Sequence, residues 1–338
     1  MAKIIIIGAG AMGSAFSIPC IDNGNDVTLF GTHLENDLID KIKKGLHPSL
    51  KIALPRKLKI EKTEKLIKHK DPDIIICAVS SQGIDWFINQ ASEIISNKTQ
   101  IILLTKGLKL ENEKLLTISD KIESELKRKG FNGLSISAIK GPCLAAGLAH
   151  KMRTSTVIAN QNVDIAKKLK DIIQTNYYST EISSDLKGVE ICGAIKNIYS
   201  MLIGASEGLS NPITSDDIRA KFFLNTSASL IHRSISEMVK FVTHFGGKSE
   251  TVFGLAGLGD LYVSAIGGRN SLMGKYLGQG KLYNDIKEKE MKGITVEGAQ
   301  LILEIGDKIV KDLNNKDYPL MFSLVNTICR NQKLLISW

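Results

Sequence analysis

The chain has 338 residues and a formal charge of +9, with 43% hydrophobic and 23% charged residues. This length suits two domains, and this composition is typical of a soluble globular protein. The lysines are spread along the chain without interleaved aromatic residues, so we expect no nucleic-acid partner. No run approaches the roughly 18 apolar residues of a membrane span, and we expect neither a span nor a signal peptide.

The cysteines and histidines bear on location and on metal binding. Five cysteines are scattered along the chain without a C-x-x-C pair, which favours reduced thiols and a cytoplasmic location. The six histidines show neither H-x-H nor H-x-x-x-H spacing. The sequence therefore predicts no metal site.

The first half of the chain alternates short apolar runs with segments of helical length. The runs predict buried strands at residues 3–8, 26–31, 73–79, 100–105 and 134–139, with further strands at 154–159 and 177–182. Helices are predicted between them, for example at 11–23, 84–96 and 113–129. This alternation predicts an α/β domain with a Rossmann-type, doubly wound sheet.

The strand signals stop near residue 186. Helices are predicted at 187–208, 217–245, 296–312 and 318–332, so the second domain should be all α. We therefore expect a dinucleotide-binding domain over residues 1–186 and a helical substrate-binding and catalytic domain over residues 187–338.

A glycine-rich loop follows the first predicted strand. In "KIIIIGAGAMGSAF", Gly8, Gly10 and Gly13 have G-x-G-x-x-G spacing and open the first predicted helix. The first glycine permits a tight turn, the second lets the backbone approach a pyrophosphate, and the third lets helix and strand pack closely. The helix N-terminus adds amide donors and partial positive charge. Because the motif lies in a strand–turn–helix context, it predicts a dinucleotide site.

The end of the second predicted strand bears on which dinucleotide is bound. NAD-preferring folds often carry an acidic residue here, which accepts hydrogen bonds from the ribose hydroxyls. This chain has Gly31, Thr32 and His33 instead, so the strand end favours NADP over NAD as the cofactor. An aspartate at position 31 is expected to shift the preference toward NADH by repelling the 2′-phosphate. Glu35 remains an alternative contact for the ribose.

Five further segments carry a family resemblance. They are "LLTKG" (103–107), "KGPCLA" (140–145), "GVEICGAIKNIYSMLIGASEGL" (188–209), "GLAGLGDLYVSAIGGRN" (254–270) and "TVEG" (295–298). With the glycine loop they resemble NAD(P)-dependent sn-glycerol-3-phosphate dehydrogenases, in order and with matching gaps, up to about residue 300. The resemblance implies an enzyme that transfers hydride between NAD(P)H and dihydroxyacetone phosphate.

Matching motif positions imply the site residues. Lys196 would be the proton donor and acceptor, Lys106 would contact substrate and cofactor, and Asp260 would orient the lysines. Arg269 and Asn270 would bind the substrate phosphate, and Arg269 would also approach the cofactor. The resemblance further implies substrate contacts at Gly141, Cys143 and Ser264, and cofactor contacts at Ala11, Met12, Thr32, Ala145 and Glu297.

Elementary chemistry agrees with these roles. Reduction of a ketone needs a hydride donor, a proton donor at the oxygen, and fixed positions for both. A lysine suits proton transfer when burial or a second cation lowers its pKa. Lys196 in an apolar helix, with Lys106 close to it, would meet both conditions. Arg269 has the planar, multidentate donor group that a phosphate requires, and the two glycines before it allow close approach.

Other interpretations stay open at this point. Cys143 stands where the family usually has serine, and it removes a hydroxyl donor, so a reductase of another small phosphorylated or carboxylated ketone is an alternative. Ser264 replaces the usual threonine and keeps the hydroxyl. A dinucleotide-sensing module without turnover is an alternative of another class. Long apolar helices favour a homodimer, and the family role favours synthesis of glycerophospholipid precursors.

Overall fold

The computed structural model describes residues 1–210 and 223–337. The chain divides into two compact units, Met1–Lys106 with Leu116–Glu190, and Gly107–Leu115 with Ile191–Trp338. Residues 107–115 thus group with the second unit, although the sequence analysis placed them in the first domain. The expected boundary between residues 186 and 187 stays a prediction.

The described residues form ten strands and fourteen α-helices. The strands are β1 (Lys3–Ile7), β2 (Asp26–Phe30), β3 (Lys59–Glu61), β4 (Ile74–Cys77), β5 (Gln100–Leu103), β6 (Leu108–Glu111), β7 (Lys114–Thr117), β8 (Ser135–Lys140), β9 (Thr154–Ala159) and β10 (Tyr178–Ser183). The helices are α1 (Ala11–Asp22), α2 (Asn36–Lys44), α3 (Ile84–Ser92), α4 (Ile118–Arg128), α5 (Ala145–Ala149), α6 (Val163–Ile173), α7 (Leu186–Leu209), α8 (Phe223–His244), α9 (Ser249–Phe253), α10 (Asp260–Ile266), α11 (Arg269–Gly278), α12 (Tyr283–Glu288), α13 (Glu297–Asp312) and α14 (Pro319–Cys329).

The first unit is built on an eight-stranded sheet. Its strand order is β3-β2-β1-β4-β5-β8-β9-β10, with β8 and β9 antiparallel and every other neighbouring pair parallel. The first six strands have the doubly wound order, whose direction of winding reverses between β1 and β4. Ligands of such sheets bind beyond the carboxyl ends of the strands at this reversal.

Strand β1 lies at the centre of this sheet. Its four isoleucines, Ile4 to Ile7, are at most 1% exposed, which fits a parallel strand covered on both faces. Burying each such side chain contributes about 1.5–3 kcal/mol. Burial of these isoleucines therefore holds β1 in place, and with it the strand end from which the glycine loop starts.

The second unit is helical in its described residues after Glu190. Helices α7 and α11 touch backbone to backbone, because a Cβ at Gly204 would lie 2.3 Å from the carbonyl oxygen of Ser271. A Cβ at Gly274 would likewise lie 1.8 Å from that of Met201. Glycines at this crossing bring the segment that begins at Arg269 against the helix that carries Lys196.

A β6–β7 hairpin, which the sequence analysis did not expect, groups with the second unit up to Leu115. Lys109 of β6 pairs with Glu304 of α13 at 3.1 Å. The predicted helix at 113–129 is wrong in its first residues, because β7 runs through Thr117 and α4 begins only at Ile118. Thr117 and Asp120 form a reciprocal capping box, which fixes that start. Residues 211–222, which include the first part of the predicted helix 217–245, lie outside the described residues.

Candidate active site

The glycine loop forms a turn between β1 and α1. Gly8 has a φ of 114°, and a Cβ there would lie 2.6 Å from the carbonyl oxygen of Ala78 on the neighbouring strand segment. A Cβ at Gly13 would lie 2.0 Å from the carbonyl oxygen of Gly8. Neither position tolerates a side chain, so the loop lies tight against the carboxyl ends of β1 and β4.

The start of α1 suits an anionic group. Gly10 is the N-cap, no side chain caps the helix, and its first turn holds no acidic residue. The amide groups of the first turn, which includes Ala11 and Met12, therefore meet no competing carboxylate of their own helix. This donor set fits the pyrophosphate of a dinucleotide.

Glu35 lies between the glycine loop and the end of β2. Its Oε2 accepts hydrogen bonds from the backbone N–H of Ala9, at 3.0 Å, and of Thr32, at 2.8 Å. The residue is the N-cap of α2. The sequence analysis named Glu35 only as an alternative ribose contact, and the structure places its carboxylate beside the glycine loop and beside Thr32.

His47 also contacts the glycine loop, at the carbonyl oxygen of Ala9. It is 1% exposed, and its Nδ1 accepts hydrogen bonds from the backbone N–H of Ser49 and of Leu50, each at 3.2 Å. The proton therefore resides on Nε2, which donates to the carbonyl oxygen of Ala9 at 3.2 Å. Sequence reasoning missed His47, because nothing in its local pattern connects it to a loop 38 residues away.

The segments around Lys106 and Gly141 follow strand ends of the first unit. Lys106 is half-buried after β5. Gly141 is buried after β8 with a φ of 134°, and its carbonyl oxygen accepts a hydrogen bond from the N–H of Cys143 at 2.8 Å. Cys143 is half-buried, and Ala145 opens α5. These residues lie at carboxyl ends of sheet strands, where ligands of doubly wound folds bind.

Lys196 of α7 forms a buried ion pair in the second unit. Its Nζ lies 3.0 Å from Oδ1 of Asp260, the first residue of α10, and it also donates a hydrogen bond to Oγ of Ser264. The two charged side chains are 5% and 3% exposed. Asp260 and Ser264 lie one turn apart on α10, so the helix presents both oxygens to one ammonium.

A second polar network lies beside this pair. Asn197, the residue after Lys196, donates to Oε2 of Glu297 at 3.3 Å and accepts from Nδ2 of Asn270 at 3.1 Å. Oδ1 of Asn270 accepts from the N–H of Gly298 at 2.9 Å. Glu297 also accepts from Nη2 of Arg269 at 3.0 Å, and both side chains are about half exposed.

The structure therefore brings together all six of the site residues predicted in the second unit. The network joins Arg269, Asn270 and Glu297, and the adjacent pair joins Lys196, Asp260 and Ser264. Asn197, which links the side chains of Asn270 and Glu297, was not predicted as a site residue. Its position directly after the key lysine was the available signal.

Two buried groups near the predicted substrate segment also escaped prediction. Lys140 is 2% exposed at the end of β8, and its Nζ donates to the carbonyl oxygen of Leu103 at 3.1 Å. Glu190 is 1% exposed and accepts hydrogen bonds from the N–H and the hydroxyl of Ser119. Burial raises the pKa of Glu190, while Lys140 and the Ser119 hydrogen bonds act in the opposite direction.

Within residues 1–210 and 223–337, no group of three or more histidine, cysteine, aspartate or glutamate side chains is placed to hold a metal ion. No described helix is both long enough and apolar enough to cross a membrane.

Both halves of the chain match one protein family. Residues 3–166 match the N-terminal domain of NAD-dependent glycerol-3-phosphate dehydrogenase, and residues 185–336 match the C-terminal domain. The chain belongs to the NAD-dependent glycerol-3-phosphate dehydrogenase family. This membership confirms the predicted family and, with it, the expected NAD(P)-linked oxidoreductase.

Similar proteins cover nearly the whole chain. The NADP(+)-dependent glycerol-3-phosphate dehydrogenase of Archaeoglobus fulgidus is 31% identical, with 98% of this chain and 96% of that protein aligned. The glycerol-3-phosphate dehydrogenase [NAD(P)+] of Fusobacterium nucleatum is 33% identical, with 88% and 84% aligned. The crystal structure of glycerol-3-phosphate dehydrogenase from Coxiella burnetii has a TM-score of 0.80 at 27% identity, with 98% and 96% covered. These likenesses confirm the doubly wound fold with a helical second domain.

Proposed function

We propose that this dehydrogenase interconverts dihydroxyacetone phosphate and sn-glycerol 3-phosphate, with Lys196 as the group that protonates and deprotonates the substrate oxygen. The observation that carries the proposal is the buried Lys196–Asp260 pair with the Ser264 hydroxyl beside it. A buried ion pair is a weak source of stability, and apolar residues of similar volume often serve as well. Its presence on a family motif therefore fits a chemical role better than a structural one.

Lys196 has the chemistry that the reaction needs. An ammonium can donate a proton to the oxygen as the ketone is reduced, and the neutral amine can take it back in the reverse direction. Asp260 and Ser264 fix the position of Nζ, so it would meet the substrate in one orientation. The carboxylate also compensates the ammonium between turnovers, when no substrate anion lies beside it.

Arg269 is proposed to bind the substrate phosphate. In the structure its guanidinium is held by Glu297 at 3.0 Å. The side chain is 53% exposed, and a guanidinium has further N–H donors in a planar fork. A phosphate would compete with Glu297 for this fork. Asn270, buried and fixed by Asn197 and Gly298, is proposed to support the first turn of α11, which carries Arg269, and its own contact with the phosphate stays a prediction from the family resemblance.

The cofactor is proposed to bind at the glycine loop. When bound, NAD(P)H supplies the hydride. The amides around Gly8, Gly10 and Gly13 would hold its pyrophosphate, because the start of α1 is uncapped by any side chain. The expected contacts of Lys106, Gly141, Cys143 and Ala145 with substrate or cofactor stay predictions from the family resemblance, as does that of Thr32.

The reaction is tested by following NADH or NADPH absorbance with dihydroxyacetone phosphate as substrate. A panel of other small phosphorylated and carboxylated ketones addresses the alternative that Cys143 raises. The proposal expects dihydroxyacetone phosphate to give the highest kcat/KM of the panel. A higher value with another ketone, or binding of dinucleotide without any turnover, would contradict it.

Three further parts of the proposal come from the sequence. A homodimer is expected from the apolar helices, a cytoplasmic location from the dispersed cysteines, and a role in glycerophospholipid precursor synthesis from the family. Light scattering of the purified protein tests the dimer by its molar mass. Fractionation of the native cell tests the location, and loss of the gene, with rescue by glycerol 3-phosphate, tests the role.

A further inference from the structure

We propose that Glu35 sets the coenzyme preference of this enzyme, by accepting hydrogen bonds from the adenosine ribose hydroxyls of NAD(H) and by repelling the 2′-phosphate of NADP(H). The inference rests on the proposed function only in requiring that the glycine loop binds a dinucleotide. It runs opposite to the preference expected from the end of the second strand.

Position 31 cannot carry the acidic residue that often stands at this strand end. A Cβ at Gly31 would lie 2.7 Å from Cγ1 of Ile39 and 3.4 Å from Cβ of Glu35. Ile39 is fully buried, so it has no room to move aside. The expectation that an aspartate at position 31 would favour NADH therefore fails on packing, because that variant would disturb α2 before it could meet a ribose.

Glu35 places a carboxylate in the same region by another route. It reaches back from the start of α2, and its Oε2 accepts from the N–H of Ala9 and of Thr32. Ala9 belongs to the glycine loop, and Thr32 follows β2. The carboxylate thus spans the two segments between which the ribose of a dinucleotide lies in doubly wound folds.

The carboxylate of Glu35 is held in place by Ala9, whose backbone is itself fixed. Ala9 is held at its N–H by Glu35 and at its carbonyl oxygen by His47, which is itself buried and bonded to two backbone amides. A carboxylate has about four acceptor sites, and the two amides use those of Oε2. Oε1 lies 3.6 Å from where a Cβ of Gly10 would be, so it faces the glycine loop.

The hydrogen-bonding role and the charge of the Glu35 carboxylate then distinguish the two coenzymes. Ribose hydroxyls donate hydrogen bonds, which a carboxylate accepts, whereas phosphate oxygens at neutral pH only accept and carry the same sign of charge. Residues 31–40 contain no lysine or arginine that would offset this repulsion. A fixed carboxylate without a neighbouring cation on its own segment favours NAD(H).

The test measures binding without any ketone substrate. Dissociation constants for NADH and NADPH come from the coenzyme fluorescence, and those for 5′-AMP and 2′,5′-ADP come from calorimetry, since these two adenosine fragments differ only in the 2′-phosphate. The proteins are wild type, Glu35→Gln, which keeps an oxygen for the two amides, and Asp37→Asn. Asp37 is an exposed acid in the first turn of α2 and serves as the matched charge control.

We expect wild type to bind NADH and 5′-AMP at least about tenfold more tightly than NADPH and 2′,5′-ADP, respectively. Glu35→Gln should reduce that ratio about tenfold, mainly by tightening the phosphorylated ligands, and Asp37→Asn should change it less than about twofold. Equal or tighter binding of NADPH by wild type would overturn the proposal. An unchanged ratio in Glu35→Gln, including equal weakening of both ligands, would also overturn it. These results do not depend on whether dihydroxyacetone phosphate is reduced.

Discussion

Lys196 and Asp260 form an ion pair that is almost completely buried, with Nζ and Oδ1 3.0 Å apart and side-chain exposures of 5% and 3%. One residue comes from the middle of α7 and the other opens α10, 64 residues later. Each charge makes the burial of the other tolerable, and removing one leaves the other without its compensating charge.

Stability should therefore depend on the pair in a non-additive way. We expect Lys196→Met and Asp260→Asn each to lower the free energy of unfolding by about 3–5 kcal/mol, because each strands a buried charge. The double variant, which buries neither charge, should be more stable than at least one single variant. Urea unfolding of all four proteins measures this coupling. Additive losses in the double variant would show that the two charges do not depend on each other.

Arg269 should distinguish phosphorylated from unphosphorylated ketones. We expect wild type to use dihydroxyacetone very poorly, and Arg269→Ala to lower kcat/KM far more with dihydroxyacetone phosphate than with dihydroxyacetone. Arg269→Lys should recover only part of the loss, because an ammonium lacks the planar fork. Arg330→Ala, an exposed arginine of the same unit, is the matched control. An equal loss of kcat/KM on both ketones would contradict the assignment of Arg269 to phosphate binding.

Glu237 should be a main stabilising residue of the second unit. Its carboxylate accepts from the N–H of Leu320 and Met321 at the start of α14, at 2.7 and 3.0 Å, and from the hydroxyl of Tyr199. Glutamine would place an NH₂ group against at least one of these donors, so Glu237→Gln should cost about 2–3 kcal/mol of unfolding free energy. The exposed control Asp317→Asn should change it by less than about 1 kcal/mol. Chemical denaturation measures the unfolding free energy of both variants, and a loss in Glu237→Gln as small as that in the control would contradict the stabilising role of these hydrogen bonds.

Glu190 should make stability fall as pH rises. Burial raises the pKa of this carboxyl in the folded protein above its ordinary range. The folded state therefore holds the proton to higher pH than the unfolded state, and its stability is lost as pH rises through the folded pKa. Relative to Glu190→Gln, wild type should lose thermal stability as pH increases above the ordinary glutamate range.

Glu61 provides a control of opposite sign for that experiment. Its hydrogen bond with Lys65 lowers the pKa of the Glu61 carboxyl, so its contribution is present at neutral pH and is lost as pH falls. Wild type should therefore gain stability relative to Glu61→Gln as pH rises through the acidic range. Parallel pH profiles for wild type and Glu190→Gln would contradict the role assigned to Glu190.

Much of the architecture could be predicted because its signals are local. The isoleucines of β1, the glycines after it and the uncapped start of α1 lie within one continuous segment, so pattern and spacing were sufficient. The β6–β7 hairpin was missed because each strand is only four residues long, so the apolar and polar alternation of Leu108–Glu111 is too short to stand out. Whether such short segments form strands depends on their packing in the second unit, and the local sequence does not show that packing.

The site was predicted where a family motif names the residue, and missed where tertiary contacts define it. Asn197 bridges Asn270 and Glu297, which are 73 and 100 residues away in sequence. In the sequence, Glu35 resembles any acidic residue near the start of a helix. Its contact with Ala9 exists only in the folded protein, where the two residues come together. The sequence also could not show that Gly31 lacks room for a side chain, because Ile39 packs against this position only once α2 has formed.

Turnover by Lys196→Met, measured together with dinucleotide binding, tests the proposed mechanism most directly. The double variant Lys196→Met/Asp260→Asn serves as a second protein in case the unpaired carboxylate prevents folding. Lys109→Met, which removes a half-buried lysine of another ion pair in the same unit, is the control. We predict that the kcat of both Lys196 variants falls by about 10²–10⁴-fold or more. The dissociation constant for NADH should stay within about twofold of the wild-type value, and the Lys109→Met control should stay active. Near-wild-type turnover in either folded Lys196 variant would contradict the assignment of Lys196 as the proton donor and acceptor.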